Sequence, residues 1–492
     1  MKKYLNWNSI KILLGPLSFL LVLNLNLSPD NVLVTRMAAI TIWVAVWWLL
    51  EAIELSVTAF IPFILIPLLG ISDTKTVAFQ YMDQVIFLFI GGFLFSFALE
   101  KWNLHKRISL KILSLIGSKP KNILLGIMLT TFFISLWISN TATTMMLLAA
   151  TLSIIHSLKA NIEDEKNVQK FAASLLIGLA FSASIGGMGT LVGTPTNMIF
   201  YSFYQAKFPD LNDMNFINWS KVAFPIAVVI LAGCYLVIYF LLLKKVKLKN
   251  IEKSYFKSEY NKLSSWSYEE KIIGLLFLTM TILWFTRNTI DVGLFKIIGW
   301  KTFFTNTEYI QDSTVAIAIA FLLFLIPSKN KKEERLLSWE DAKKLPLGIM
   351  LLFGSGFALA KGFDESGLSN WLAVLLMHVK DAPLFILILC TCLLIGVISE
   401  LASNVASIQL SIPILIAIQQ NADFHPALLL VPATLAASVG FMLPVATAAN
   451  TIVLGTQLIN TKQMIRVGFW VDLIAIFVIT ILSYFLGPLI WY

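Results

Sequence analysis

The sequence predicts an all-α polytopic membrane protein: an inverted repeat of 11 transmembrane helices, two of them broken, and two re-entrant helical hairpins. Three observations carry this prediction. The 492 residues are 58% hydrophobic and only 13% charged, with a mean hydropathy of +0.81, whereas soluble domains carry about a quarter charged residues. One polar phrase occurs twice inside apolar sequence, as Ser135-x3-Ser139-Asn140-Thr141 and as Ser399-x3-Ser403-Asn404-Val405. Each copy is followed downstream by a second polar break ending in asparagine, Gly193-Thr194-Pro195-Thr196-Asn197 and Ala446-Thr447-Ala448-Ala449-Asn450. Lipid cannot satisfy exposed peptide groups, so backbone of this kind sits at bilayer depth only where it lines a buried or watery cavity. Corresponding interruptions in two halves of a chain are the mark of an inverted-repeat secondary transporter.

A spanning helix needs about 20 apolar residues. Spans on that measure fall near 10–27, 37–52, 54–70, 84–99, 171–204 (broken), 221–243, 270–286, 312–327, 346–361, 425–460 (broken) and 467–490. Residues 122–158 and 382–420 are each two short apolar arms with Ser-Asn at the bend, the pattern of a re-entrant hairpin. Lysine and arginine crowd the loops 100–121, 244–269 and 328–345. If both hairpins re-enter without crossing, all three loops share the cytoplasmic face. The N-terminus then joins them, the C-terminus lies outside, and the hairpins open from opposite sides. Ile90-Gly91-Gly92-Phe93 and Leu352-Phe353-Gly354-Ser355-Gly356-Phe357 precede the two hairpins in corresponding places. Such paired small residues let a second backbone approach.

The net charge of +9 is a topology signal, because its lysines lie between apolar spans, and nucleic-acid binding is excluded on that ground. Cys234, Cys390 and Cys392 read as small core residues without metal-ligand spacing. An intramembrane hydrolase would need Ser355 as nucleophile and a base beside it. His105, His378 and His425 fall in loops and His156 ends a hairpin arm, which leaves that reading without a base.

Arg36, Arg107, Arg287, Arg335 and Arg466 all fall at span ends or in loops, so an anion inside the membrane must be held by something else. The half-helices that start after each Ser-Asn bend present free amides and a positive dipole end. Asn140 and Asn404 add amide donors, and Thr141, Thr194 and Thr447 add hydroxyls. This is a neutral polar cage suited to carboxylates. The same breaks free carbonyls for a hard cation such as Na⁺: Ser135, Ser139, Asn140 and Gly193 ring one ion, and Ser399, Ala402, Asn404 and Ala446 a second. Acids in or beside apolar sequence are Glu51, Glu54, Glu100 and Glu400; Glu400 is read as either orienting the second hairpin or touching the coupling cation. The cluster Trp43, Trp47 and Trp48 reads as packing or a subunit contact.

At these residues the chain resembles the divalent anion/sodium symporter family, carriers of succinate, malate, citrate and related anions. The resemblance runs from Gly91-Gly92-Phe93 and Leu104-His105-Lys106-Arg107 through Ser139-Asn140-Thr141 and Gly193-Thr194-Pro195. It continues into Ser403-Asn404 and Leu443-Pro444-Val445-Ala446-Thr447, covering nearly the whole length. It implies a homodimer in the cell (inner) membrane, importing di- or tricarboxylates of the succinate, malate and fumarate class with Na⁺ as co-transported ion and no organic cofactor. It also implies an elevator, in which a scaffold holds the dimer and a transport domain carries the hairpins and broken helices. On this sequence the transport domain is drawn as 84–204 and 346–460, the scaffold as 1–83 and 205–345, and 461–492 as the last helix. Val405 and Ala448 occupy anion-facing positions where the family often has threonine and proline, which leaves substrate choice open. A Na⁺-independent dicarboxylate exchanger remains the alternative.

Overall fold

The structure, a computed structural model, describes residues 7–116, 119–159, 165–211, 214–244, 246, 260–291, 296–331, 334–376, 382–419 and 422–491. A helix occupies every stretch read as a span, from Trp7–Leu23 and Val32–Leu50 to Thr461–Leu486. The described residues include seven helices long and apolar enough to cross a membrane. The other described structure is a two-residue strand pairing, Ile290–Asp291 with Lys296–Ile297, one isolated bridge, short turns and connections.

Capping chemistry sets the helix starts. Asp83 accepts from Val85 N–H at the head of Gln84–Lys101, and Ser267 with Glu270 closes a capping box on Tyr268–Phe285. Asn460 with Gln463 does the same for Thr461–Leu486. Each such cap supplies partners for amides that the helix cannot satisfy itself.

The element order recurs. Gln84–Lys101 is followed by Asn103 at φ 56°, the helix Leu104–Ile116, the hairpin arms Pro120–Ser135 and Asn140–Lys159, and the broken pair Glu165–Met188 and Pro195–Lys207. Leu347–Ser366 is followed by Gly367 at φ 79°, the helix Leu368–Leu375, the arms Leu384–Leu401 and Asn404–Gln419, and the broken pair Ala427–Ala436 and Ala448–Leu454. Two features differ from the expected map. The loop 100–121 contains the helix Leu104–Ile116, because Leu104, Ile108 and Ile112 recur at helical spacing with Lys106 and Lys111 on the exposed side. The second broken helix is interrupted as expected, at the turn Pro444–Ala446, but ends at Leu454, short of 460, where Gly455 caps it and Gln457 takes φ 61°. His378, read from sequence as a loop residue, lies outside the described residues.

Two packing groups emerge. Gln84–Lys101 runs along Asp312–Leu325, and Leu347–Ser366 packs on Val32–Leu50, Phe60–Leu68 and Thr74–Gln80. By contrast, Glu165–Met188 packs on both arms of the first hairpin and on Phe216–Ile238, which packs along Thr461–Leu486. Thr461–Leu486 also packs on Leu384–Leu401 and Ala427–Ala436. Glu165–Met188 from Phe171 onward and Ala427–Ala436 are buried and apolar nearly all round, as helices at the centre of a body must be. Trp43, Trp47 and Trp48 serve packing: Trp43 meets Phe19 at 5.5 Å, and Trp47 donates to Ile12 O at 3.0 Å, seating the first helix on the second. Of the two small-residue pairs, Gly91 lies where a Cβ would come 2.6 Å from Ala316 Cβ, and Gly354 where one would come 2.6 Å from Tyr81 Cα.

Candidate functional site

Both hairpins end in the same polar knot. Ser135, the last residue of the first arm, has its hydroxyl 2.9 Å from Asn140 Oδ1 and 2.7 Å from Ala183 O on the central helix. Ser399 repeats this with Asn404 Oδ1 at 2.8 Å and Ala437 O at 2.5 Å. One hydroxyl proton serves two acceptors in each knot, so three oxygens meet with too few hydrogens among them. A small cation relieves that imbalance. Each knot lies at the N-terminus of a long second arm, Asn140–Lys159 or Asn404–Gln419, where the helix dipole and free amides favour an anion.

The residues that begin those arms are caps. Ser139 Oγ accepts from Ala142 N–H at 3.3 Å and Ser403 Oγ from Ala406 N–H at 3.2 Å. Ala402 is extended, at φ −131° and ψ 171°: its N–H still donates to Ile398 O at 2.9 Å, and the chain leaves the helix after it. Thr141 is exposed, its counterpart Val405 is half-buried in apolar packing, and Ala448 is exposed.

The two breaks are held by the asparagines that close them. Asn197 Nδ2 donates to Gly187 O at 2.9 Å and Thr190 O at 2.7 Å; Asn450 Nδ2 donates to Gly440 O at 3.0 Å and Leu443 O at 3.1 Å. The spacings are the same in both halves, ten and seven residues back. Glycine is required at the base of the first knot: a Cβ on Gly187 would sit closer than 3.0 Å to Asn140 Oδ1, a separation real Cβ atoms essentially never show. Gly193 packs backbone to backbone on Gly187, where a Cβ would come 2.9 Å from Gly187 Cα. In the second half Ala446 meets Gly440, whose added Cβ would lie 3.1 Å from Ala446 Cβ and 3.5 Å from Asn404 Oδ1. Thr447 caps Ala448–Leu454 by accepting from Asn450 N–H at 3.1 Å, while Thr194 makes no such side-chain cap.

The structure thus gathers Ser135, Asn140 and Gly193 around one knot and Ser399, Asn404 and Ala446 around the other. The halves meet through Thr196 Oγ1 and Ser438 Oγ at 3.0 Å and through the rings of Phe181 and Phe441 at 4.9 Å. A water-sized cavity of about 20 Å³ runs from Ser139 and Gly193 to the face of Gln84–Lys101, where Gly92 has open space around a Cβ.

Glu400 takes the orienting role. Its two carboxylate oxygens accept from Met442 N–H at 2.8 Å and Leu443 N–H at 2.9 Å, bracing the second break. Asp472 adds a third contact, accepting from Phe441 N–H at 3.2 Å. Among the described residues no carboxylate braces the first break; Trp219 Nε1 donates to Met188 O at 3.1 Å and the Thr190 hydroxyl to Leu136 O. Sequence reasoning missed Asp472, although a lone acid inside the span 467–490 is the signal that finds such residues. It also missed the carbonyls of Ala183 and Ala437, which no side-chain pattern announces. Glu51 and Glu54 are exposed at helix ends. Ser355 is buried beside Tyr81, as a packing residue.

Two broken central helices, two Ser-Asn knots and a membrane-length helical shell define a polytopic membrane transporter, not an enzyme. The family profile described as "Sodium:sulfate symporter transmembrane region" matches residues 9–492. The chain belongs to that family. It is 38% identical over 496 residues to the "Sodium-dependent dicarboxylate transporter SdcS" of Staphylococcus saprophyticus, covering 99% of this chain and 93% of that one. A protein of the same name from Staphylococcus aureus is 37% identical over 488 residues, covering 98% and 91%. Among solved structures, the Alcanivorax borkumensis YdaH transporter shares the fold at a TM-score of 0.51 and 13% identity, covering 83% of this chain and 86% of that one. Neisseria gonorrhoeae MtrF does so at 0.51 and 14%, covering 83% and 82%.

Proposed function

We propose that this protein imports C4 dicarboxylates of the succinate, malate and fumarate class, driven by Na⁺. The observation that carries the reading is the duplicated knot: in each half a serine hydroxyl, an asparagine carbonyl and a backbone carbonyl converge with a shortage of protons, directly at the N-terminus of a helix of 16 residues or more. Oxygens then face the cation while amides face the anion, so the two ligands neutralise each other across one asparagine. The names of the related proteins support both ligands. Ser135, Ser139, Asn140 and Gly193 take the first Na⁺, and Ser399, Ala402, Asn404 and Ala446 the second. Asn140, Thr141, Thr194, Asn404 and Thr447 contact the anion, with Val405 and Ala448 shaping its pocket.

The packing groups support an elevator whose moving body comprises 120–207, 216–243, 384–454 and 461–486, on a scaffold of 7–101 and 268–366. Relative to the boundary drawn from sequence, this moves Gln84–Lys101 and Leu347–Ser366 to the scaffold, and Phe216–Ile238 together with the last long helix to the moving body. The three basic loops face the cytoplasm, the hairpins enter from opposite sides, and two copies assemble through the scaffold.

Uptake of radiolabelled succinate into proteoliposomes tests the function. An inward Na⁺ gradient drives uptake without internal counter-substrate. Uptake that requires internal dicarboxylate and ignores Na⁺ overturns this in favour of an exchanger, and failure with di- and tricarboxylates and sulfate alike overturns it entirely.

A further inference from the structure

Behind the first knot lies a second cavity of about 140 Å³ that the transport reading does not use. Leu104, Ile108, Phe133, Trp137, Trp266 and Phe277 line it, between the helix Leu104–Ile116, the first hairpin and Tyr268–Phe285. His105, which also lines it, turns Nδ1 to Leu99 O at 3.1 Å. An apolar pocket of this size offers water no partners along its lining and accepts a ring or a short hydrocarbon segment. Its roof is a helix with an apolar lower face and two exposed cations, Lys106 and Lys111, the pattern of a segment lying in a membrane interface. Trp266, which lines the cavity, is 45% exposed, so the cavity reaches the surface at that residue.

Trp137 makes this cavity consequential. The same side chain lines the small cavity at Ser139 and Gly193, so one indole separates the apolar hole from the candidate site. It stacks on Phe216 at 5.8 Å and meets Phe277 edge-on at 4.8 Å. Two residues before Ser139, it stands where filling the hole would brace the bend of the first hairpin.

We propose that the cavity holds one acyl chain of an anionic phospholipid, whose headgroup lies over Lys106 and Lys111, and that this lipid stiffens the first knot. An apolar hole alone selects no headgroup. The exposed lysines on its roof do, since each basic residue near an anionic surface contributes about 1 kcal/mol. The cytoplasmic placement of that helix rests on the proposed topology, but the test below reads lipid retention, which does not depend on transport.

The purified full-length protein, equilibrated with equal phosphatidylcholine and phosphatidylglycerol, is examined by native mass spectrometry for retained lipid. Wild type retains phosphatidylglycerol in preference. Gly274→Leu fills the cavity, because a Cβ there meets only Leu104 Cδ2, at 3.8 Å. Retention falls roughly tenfold or more in that variant, the equivalent of about two buried methylenes, with an unchanged melting temperature. The double variant Lys106→Gln/Lys111→Gln loses the preference for phosphatidylglycerol by roughly fivefold per lysine while still retaining lipid. Removing equal charge elsewhere, in Lys343→Gln/Lys344→Gln, changes neither. Wild-type retention in Gly274→Leu overturns the proposal, as does equal retention of both lipids by wild type. Should Gly274→Leu melt early, Gly274→Val, with less bulk, gives an intermediate loss; no loss there overturns it too.

Discussion

Replacing Gly187 and Gly440 by alanine tests whether the two knots are built alike in sequence but unlike in tolerance. The residues are equivalent, each ten positions before the asparagine that closes its break. In Gly187→Ala the new methyl overlaps Asn140 Oδ1. Asn140 is the residue that must yield, since Gly187 is fixed by Asn197 on one side and Gly193 on the other. Displacing the amide breaks its 2.9 Å bond to Ser135, about 1 kcal/mol, and adds overpacking of about 1–2 kcal/mol. The sum, about 2–3 kcal/mol, corresponds to a roughly 30- to 150-fold rise in the Na⁺ concentration for half-maximal uptake. In Gly440→Ala the methyl finds 3.1 Å to Ala446 Cβ and 3.5 Å to Asn404 Oδ1. A shift of a few tenths of an ångström accommodates it, at under about 1 kcal/mol or roughly fivefold. Initial rates of succinate uptake against Na⁺ in proteoliposomes, with melting temperatures of the same preparations, provide the comparison. Equal penalties at the two glycines, or a wild-type Na⁺ curve for Gly187→Ala, refute the reasoning.

Further outcomes are expected. Gly91→Ala lowers the melting temperature, because its Cβ would lie 2.7 Å from the Ala316 backbone, whereas Gly92→Ala leaves stability unchanged and slows uptake by narrowing the crevice beside Ser139; thermal unfolding and uptake of the pair separate the two. Asn140→Ala and Asn404→Ala each abolish transport while the protein still elutes as folded on size exclusion, since a hydrogen bond to a charged group is worth about 1.5–3 kcal/mol. Ser139→Ala removes a helix cap worth about 1 kcal/mol and raises the Na⁺ requirement more than it alters substrate preference at saturating Na⁺, with anion affinity at low Na⁺ falling reciprocally; an unchanged Na⁺ curve would show that this serine caps its helix only. Asp341, in the basic loop, feels burial that would raise its carboxyl, but Lys101 at 2.9 Å and Ser338 hold it down to about 2 from an ordinary 3.8. Its folded-state value is the lower one, so the stabilisation is present above pH 3.8 and is lost as the pH falls towards 2; with solvent screening at this loop it amounts to about 1 kcal/mol at neutral pH. Asp341→Asn therefore flattens the acid limb of the melting-temperature profile.

What was legible follows from what leaves a trace in side chains. The Ser-Asn phrases and the closing asparagines are polar residues in apolar sequence, and they located the helical hairpins, the breaks and the polar knots. Gln84–Lys101 and Leu347–Ser366 were recognisable through their small-residue pairs, but which neighbour those pairs meet was not, because close approach depends on tertiary arrangement. The helix Leu104–Ile116 was hidden by its lysines, which count as loop in a hydropathy reading and as an amphipathic face in a folded one. The carbonyls of Ala183 and Ala437 had no trace at all, since any residue carries one. Glu400 was visible as an intramembrane acid, yet its partners are amides forty residues on, and only the fold brings them within 3 Å.

The bridge between Thr196 and Ser438, with Phe181 against Phe441, ties the two breaks into one rigid piece. Under the proposed function that piece is a gauge of length. An anion with two charged ends is measured against two helix starts whose separation the body fixes, and a monocarboxylate can satisfy one of them only. Discrimination then lies in the span between knots and not in the chemistry of either, so loosening Thr196 or Ser438 should blur the choice among chain lengths before it weakens the grip on any single carboxylate.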